Sequence, residues 1–401
     1  MATLLQLEEP DNGAAAPPSW RALFELAFRP LYLAGTAWAL LSVLVWVFAP
    51  HWLAGPLAGV AWHAHEMLWG FVATIAVGFL LTAGANWTGQ VPLAGGGLAG
   101  LLLLWLLARA GYLLGGEAGF VVAAAAETLF FVVAALAMGR VVWRTRNRRN
   151  YAVPAMMLAL GATHLLFVAS LDDWPRTLLG FNAGLLVMAM IALLVARRVI
   201  PFFAMRAVPG LQIPMHEASA RWQLGAVLAA VIALLAGWAP LQAAALALAG
   251  ALALWQLLGW RPLAVRGRPI LWILYAGYAG LAAGLLAAAA QAAGVAWRSA
   301  LPVHLIAMAG FAVLIIGMVT RTALGHLGRG LVLDRSMVAS YGLMLAAVAL
   351  RLAALWPSAA SAGLLQAAAL AWAAAFAAYV WRFTPWMIRP RPDQPVPPRR
   401  T

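Results

Sequence analysis

A run of about 20 apolar residues is the length of helix that crosses a bilayer, and this chain is built of little else. Twelve such runs lie near 31–49, 63–85, 98–114, 119–140, 152–170, 177–198, 223–238, 240–258, 270–290, 301–322, 337–356 and 360–382. The pair 223–238 and 240–258 is short, with Pro240 marking the break between them. Hydrocarbon offers no water to satisfy a backbone N–H or C=O, so runs of this length fold as helices. The expected fold is all-α: a polytopic integral membrane bundle of twelve helices, forming a single domain over 29–383. A short tail (1–28) precedes it and a Pro/Arg-rich tail (384–401) follows. Only 9% of the 401 residues are charged and 65% are hydrophobic, against about 25% charged in soluble domains. A soluble enzyme is excluded, because the chain lacks the polar residues to cover a wet surface.

The net charge is +14, and every cation is an arginine. In a soluble protein such a balance would suggest nucleic acid. Here the arginines gather on alternate connections: Arg140 to Arg149, Arg197 to Arg221, Arg261 to Arg268, Arg321 to Arg335, and the C-terminal group from Arg382. Positive loops stay inside, so both termini are expected in the cytoplasm of a bacterial inner membrane, with no nucleic-acid partner. The even number of runs agrees. The first 20 residues are polar, partly acidic and Pro-rich, unlike a cleavable signal peptide. There is no Cys. That excludes disulfides, iron–sulfur clusters, thioether-attached haem and thiolate copper sites. Any metal must rest on His, Met, carboxylate or backbone oxygen.

Topology sorts the seven histidines. His51, His63, His65, His164 and His304 fall on the outer half; His216 and His326 fall on the inner side. A single interfacial histidine is more often structural than a ligand. Five on one leaflet point to metal binding, since ionisable groups in a membrane are costly and imidazole is the commonest metal ligand. In Trp62-His63-Ala64-His65-Glu66-Met67, a helix sets His63 and His65 about 200° apart. They would then serve two adjacent centres, or one would support the other. If the segment is extended, they share a face. His304 and His326 lie on nearly one face of a straight helix, about 33 Å apart in rise. Arg321, with Arg197 and Arg198, stands near His326, where guanidinium suits a carboxylate such as a haem propionate. Glu127 lies within the fourth run and, with Glu66, is a candidate for proton transfer. A Gly-flanked turn is expected at Gly325-His326-Leu327-Gly328.

Several stretches resemble the NnrS family of bacterial haem- and copper-containing membrane proteins linked to nitric oxide. They are Phe28-Arg29-Pro30-Leu31-Tyr32-Leu33, Trp62-His63-Ala64-His65-Glu66-Met67, Gly78-Phe79-Leu80-Leu81-Thr82, Asn86-Trp87-Thr88-Gly89 and Arg198-Val199-Ile200-Pro201-Phe202-Phe203. The last runs from Gly317 through Arg321 and His326 to Arg329. Ala85, ahead of Asn86, is a departure from the pattern. The resemblance implies haem b, copper and protection from nitric oxide. It carries over His63, His65, Glu66, Asn86, Arg198, Arg321 and His326 by motif, and His304 by position. His164 and His51 are added from topology alone.

Three functions fit these observations. The first is reduction or detoxification of nitric oxide at a metal site in the outer half, fed by quinol or a periplasmic donor. A non-catalytic nitric oxide sensor or sink would use the same residues. A transporter of haem, copper or an iron-nitrosyl species fits the span count. It lacks the basic motif expected after the second run of major-facilitator carriers, where Asn86-Trp87-Thr88-Gly89-Gln90 stands instead.

Overall fold

The computed structural model describes residues 17–295 and 298–392. The outer parts of the two expected tails, 1–16 and 393–401, lie outside these residues. Twelve helices are long and apolar enough to cross a membrane, and they match the twelve runs one for one. They are α1 (Phe28–Phe48), α2 (Gly59–Thr88), α3 (Gly95–Leu114), α4 (Glu117–Arg144), α5 (Arg148–Val168), α6 (Trp174–Ala207), α7 (Glu217–Leu235), α8 (Ala239–Gly259), α9 (Pro269–Ala292), α10 (Ala300–His326), α11 (Arg335–Ala353) and α12 (Ser361–Met387). No strand occurs among the described residues. The chain is a multi-pass membrane protein. Its two ends meet on one face, where the Ser19 amide donates to the Ile388 carbonyl at 2.8 Å and Arg29 donates to the Met387 and Arg389 carbonyls.

Local chemistry explains the boundaries. Pro240 occupies the first turn of α8, where its missing N–H costs nothing. Gly237, with φ +70, supplies the left-handed turn ahead of it. The carboxylates of Asp173 and Asp334 accept from the Arg176 and Met337 amides and so cap α6 and α11. α6 overshoots its expected end at 198 and continues through Pro201 to Ala207.

Successive helices form a ring that closes where α12 packs on α1. Three of them, α2, α6 and α10, are drawn inward and touch one another through the segments that follow His65 in α2 and His304 in α10. They are spaced four spans apart, so the twelve helices fall into three blocks of four, each giving its second helix to the centre. Burial follows: 78% of the apolar stretch of α2 is buried, against 33% of that of α3. An outward-facing helix keeps apolar residues on its lipid side, whereas α2 must be apolar all round.

Two of the central helices are not α-helical throughout. In α2, an α-helical start (Gly59–His65) gives way to a π-helix over Glu66–Ala73 before α-helix resumes at Thr74. In α10, the π-helix is Leu305–Ala312, directly after His304. The two π-helices meet each other and α6. π-Turns of this kind concentrate at functional sites. They also break the phase of α10, so His304 and His326 do not share one straight helical face as expected. His326 itself closes the helix, and Gly325 is still helical. The left-handed turn residue is Gly328, with φ +68.

Candidate metal centre

The halves of α2, α3, α4 and α5 remote from the termini bring five ionisable side chains into one buried cluster. His65 and Glu66 come from α2, Arg109 from α3, Glu127 from α4 and His164 from α5, and all are buried. Glu66 is an acceptor only. Its Oε1 takes the His65 Nδ1–H at 2.9 Å, and its Oε2 takes the Trp38 indole N–H at 2.5 Å and one arm of Arg109. The other arm of Arg109 pairs with Glu127 Oε2. One guanidinium therefore bridges two carboxylates, a use of its planar fork that lysine could not reproduce. Gly70 makes room, because a Cβ there would overlap the side chains of both Arg109 and Glu66. Its carbonyl accepts from the Trp105 indole at 3.1 Å.

With Nδ1 committed to Glu66, His65 turns Nε2 toward Glu127, 3.2 Å from Oε2. His164 Nε2 lies 3.4 Å from the same oxygen and 3.1 Å from the Tyr112 hydroxyl. One donor atom each from His65, Glu127 and His164 falls within 4.8 Å of the other two. His65 Nε2 and both Glu127 oxygens are buried and have no hydrogen bond of proper geometry. Unsatisfied polar atoms are expensive in a protein interior, and here they converge. Two imidazoles and a carboxylate are a donor set for a transition metal. Two acidic side chains face one guanidinium.

His63 does not join this cluster. The helical phase that separates it from His65 aims it at a cavity of about 590 Å³ between α2, α6 and α10. His304, Met67, Met308 and Arg351 line the same cavity. His63 stacks on Trp46 at 5.1 Å between ring centres, and its Nδ1 is buried without a partner. His304 Nδ1 lies 2.7 Å from the Ala300 carbonyl, which fixes the proton on Nδ1 and frees Nε2. His63, His65 and His304 thus divide between two neighbouring sites; they do not share one.

Asn86, Arg198, Arg321 and His326 line a third cavity, of about 410 Å³, near the face that carries the termini. A small apolar gap of about 80 Å³ lies between it and the cavity of His63 and His304. Its lining shares Val72 and Phe311 with the cavity of His63 and His304, and Phe79 and Met318 with the cavity of Arg321 and His326. His51 sits exposed on a turn against Trp52, apart from all three. His216 caps α7 at the termini face.

A sequence model of the NnrS protein family matches residues 22–391, nearly the whole chain. The chain belongs to the NnrS family. A search of curated protein sequences finds no match. Family membership and the buried His65–Glu127–His164 triad together fit a metal-binding membrane protein. Sequence reasoning had named all three members of the triad but had missed Arg109, Tyr112 and Arg351. An arginine inside the apolar run 98–114 was the available signal, since such a charge needs a buried partner.

Proposed function

We propose that this chain is a haem b- and copper-binding protein of the bacterial inner membrane that reduces nitric oxide, with both termini in the cytoplasm. The observation that carries this reading is the split between His63 and His65. Two residues of one helix reach two adjacent sites, one with a compact donor triad and one with room for a macrocycle. His65, His164 and Glu127 would hold copper, which imidazole nitrogen suits. His63 and His304 would hold haem iron in the larger cavity, with Arg351 for a propionate; no carboxylate lies within ion-pair reach of Arg351 among the described residues. Lack of Cys leaves only non-covalent haem.

Iron and copper held there would supply a binding site for nitric oxide and a route for electrons to it. The chain's own residues do the rest. Glu66 fixes the His65 tautomer so that Nε2 offers its lone pair. Arg109 pairs with both Glu66 and Glu127 and so fixes their positions. The Tyr112 hydroxyl holds a proton 3.1 Å from His164 Nε2, within reach of a reacting group there. Two nitric oxide molecules, two electrons and two protons give nitrous oxide and water. Quinol or a periplasmic carrier is the donor class. Nitric oxide is small, neutral and lipid-soluble, so the apolar walls of the outer cavity admit it without a polar tunnel.

Oxidised and reduced optical spectra of the purified protein, with metal analysis, test the cofactors. Acid–acetone should extract the haem, and protein free of haem and copper would overturn the proposal. Nitrous oxide formed under a reductant tests turnover. Gas binding without it would leave a sink in place of a reductase. Reporter fusions after Arg149 and after Pro56 should read cytoplasmic and periplasmic, respectively.

A further inference from the structure

Wall chemistry and size together limit what a cavity can hold, and the small gap at the centre of the bundle is narrow in both. Helices α2, α6, α9 and α10 wall it, with Tyr32 of α1. All of its lining side chains are hydrocarbon or thioether except that of Tyr32. The backbone behind them is helical throughout, so its N–H and C=O groups bond along their own helices. A buried water needs about two to four polar partners, and here it would find at most one. An ion would find no counter-charge, because no charged residue lines the gap. Size excludes larger apolar guests. An apolar cavity of about 150 Å³ takes one benzene or xenon. The gap, at about 80 Å³, leaves room for a single atom or a diatomic gas and not for a ring.

Such a gap costs stability, because its walls lose dispersion contacts. Ala76, Ala192 and Ala196 line it, and one larger side chain among them would fill it. Val72 and Phe311, which line both the gap and the cavity of His63 and His304, belong to the two π-helices. The space therefore lies where the bundle departs from regular helix, the kind of place where function concentrates. We propose that the gap is a docking site for one small, uncharged gas molecule, held a side chain's width from the cavity of His63 and His304. That the gas is nitric oxide rests on the function proposed above; the gas site itself does not. Under that reading the reaction joins two molecules of nitric oxide, and the gap is where one waits while the other occupies the larger cavity. Holding the second reactant beside the first spares the encounter its entropy cost.

The probe is xenon, which anomalous X-ray scattering locates in crystals of the full-length protein under gas pressure. A xenon peak in the gap is expected in the unaltered protein, so this arm needs no variant to fold. Ala192→Leu should abolish the peak and leave the helices in place, and Ala76→Leu, which fills the gap from α2, should do the same. Absence of xenon from the gap of the unaltered protein would overturn the site. So would ordered water or a lipid tail in its place. The second measurement is nitrous oxide formation under a reductant. Filling the gap should raise the apparent KM for nitric oxide about 3- to 5-fold, the worth of one methylene-sized apolar contact, with metal content intact. An unchanged KM in a variant that has lost the xenon peak would overturn the waiting role. Xenon in the gap of an unaltered protein that forms no nitrous oxide would sink the proposed activity and leave the gas site standing.

Discussion

The cluster around Glu66 and the cavity near the termini both place an arginine in the buried interior, and they do so in opposite ways. Around Arg109 the chain supplies the counter-charges itself, Glu66 and Glu127, on two other helices. Around Arg321 it supplies a phenyl ring and no acid. The first arrangement is nearly self-sufficient and orients its donors before any metal arrives. The second has no acidic partner from the chain and rests on a ring instead. Burial is similar in the two, so burial does not tell the two arginines apart. The partners do.

The largest effect expected from this contrast is at Arg109. Arg109→Ala leaves two carboxylates facing each other without compensation, which costs about 3–5 kcal/mol when one partner of a buried pair is removed. Thermal unfolding in detergent should show the loss, together with poor accumulation in membranes. A variant as stable as the parent would mean that the two acids are protonated and the bridge is idle. Next comes Glu66→Gln. It keeps the shape but weakens the hold on His65 Nδ1, so copper affinity should fall about 10- to 100-fold while the helices still insert. Metal content by mass spectrometry reads this out, and full occupancy at limiting copper would detach Glu66 from the site.

Arg321→Met should act with the opposite sign to Arg109→Ala. Removing an unpaired buried charge should leave the ligand-free protein as stable as before, or about 1 kcal/mol more so. A destabilised Arg321→Met would erase the distinction between the two regions. The smallest effect is at an exposed pair that serves as a reference. Asp334 caps α11 and meets Arg382 at 2.5 Å, with both side chains about a third exposed. Burial would raise its pKa, but the Ser336 hydroxyl and Arg382 hold it down to about 2. A depressed carboxyl contributes stability in full above its unfolded value near ~3.9, and loses it as pH falls through about 2. Asp334→Asn, which keeps a capping oxygen, should therefore cost well under ~1 kcal/mol, because solvent screens the pair. That small cost should not vary between about pH 5 and 8.

The membrane plan was legible because hydrocarbon permits so few structures. Each apolar run became one helix, and Pro240 fell at the expected break. The divergence of His63 and His65 followed from helical geometry alone. The union of His65, Glu127 and His164 did not, since it depends on how α2, α4 and α5 pack, and spacing within a run says nothing of that. Arg109 was hidden for a related reason: an arginine within the run 98–114 calls for a buried partner, but the run does not say that two acids wait on other helices. The π-helices were illegible because Glu66–Ala73 and Leu305–Ala312 carry ordinary helix-forming residues. Their widening answers to contacts made in the centre of the bundle.

Those π-helices have a consequence for how the protein tolerates insertion and deletion. An i→i+5 turn holds one more residue than the α-helix around it. Deleting a single residue between Met67 and Ala73 would let α2 relax to a regular helix, with no gap in its backbone bonding. The same deletion would also turn His63 and His65 relative to everything below them, so that neither met its partners. A deletion scan along α2 should find this stretch kinder to insertion into the membrane than its neighbours, yet among the harshest for metal retention. The extra residue acts as a spacer that sets the aim of the histidines above it.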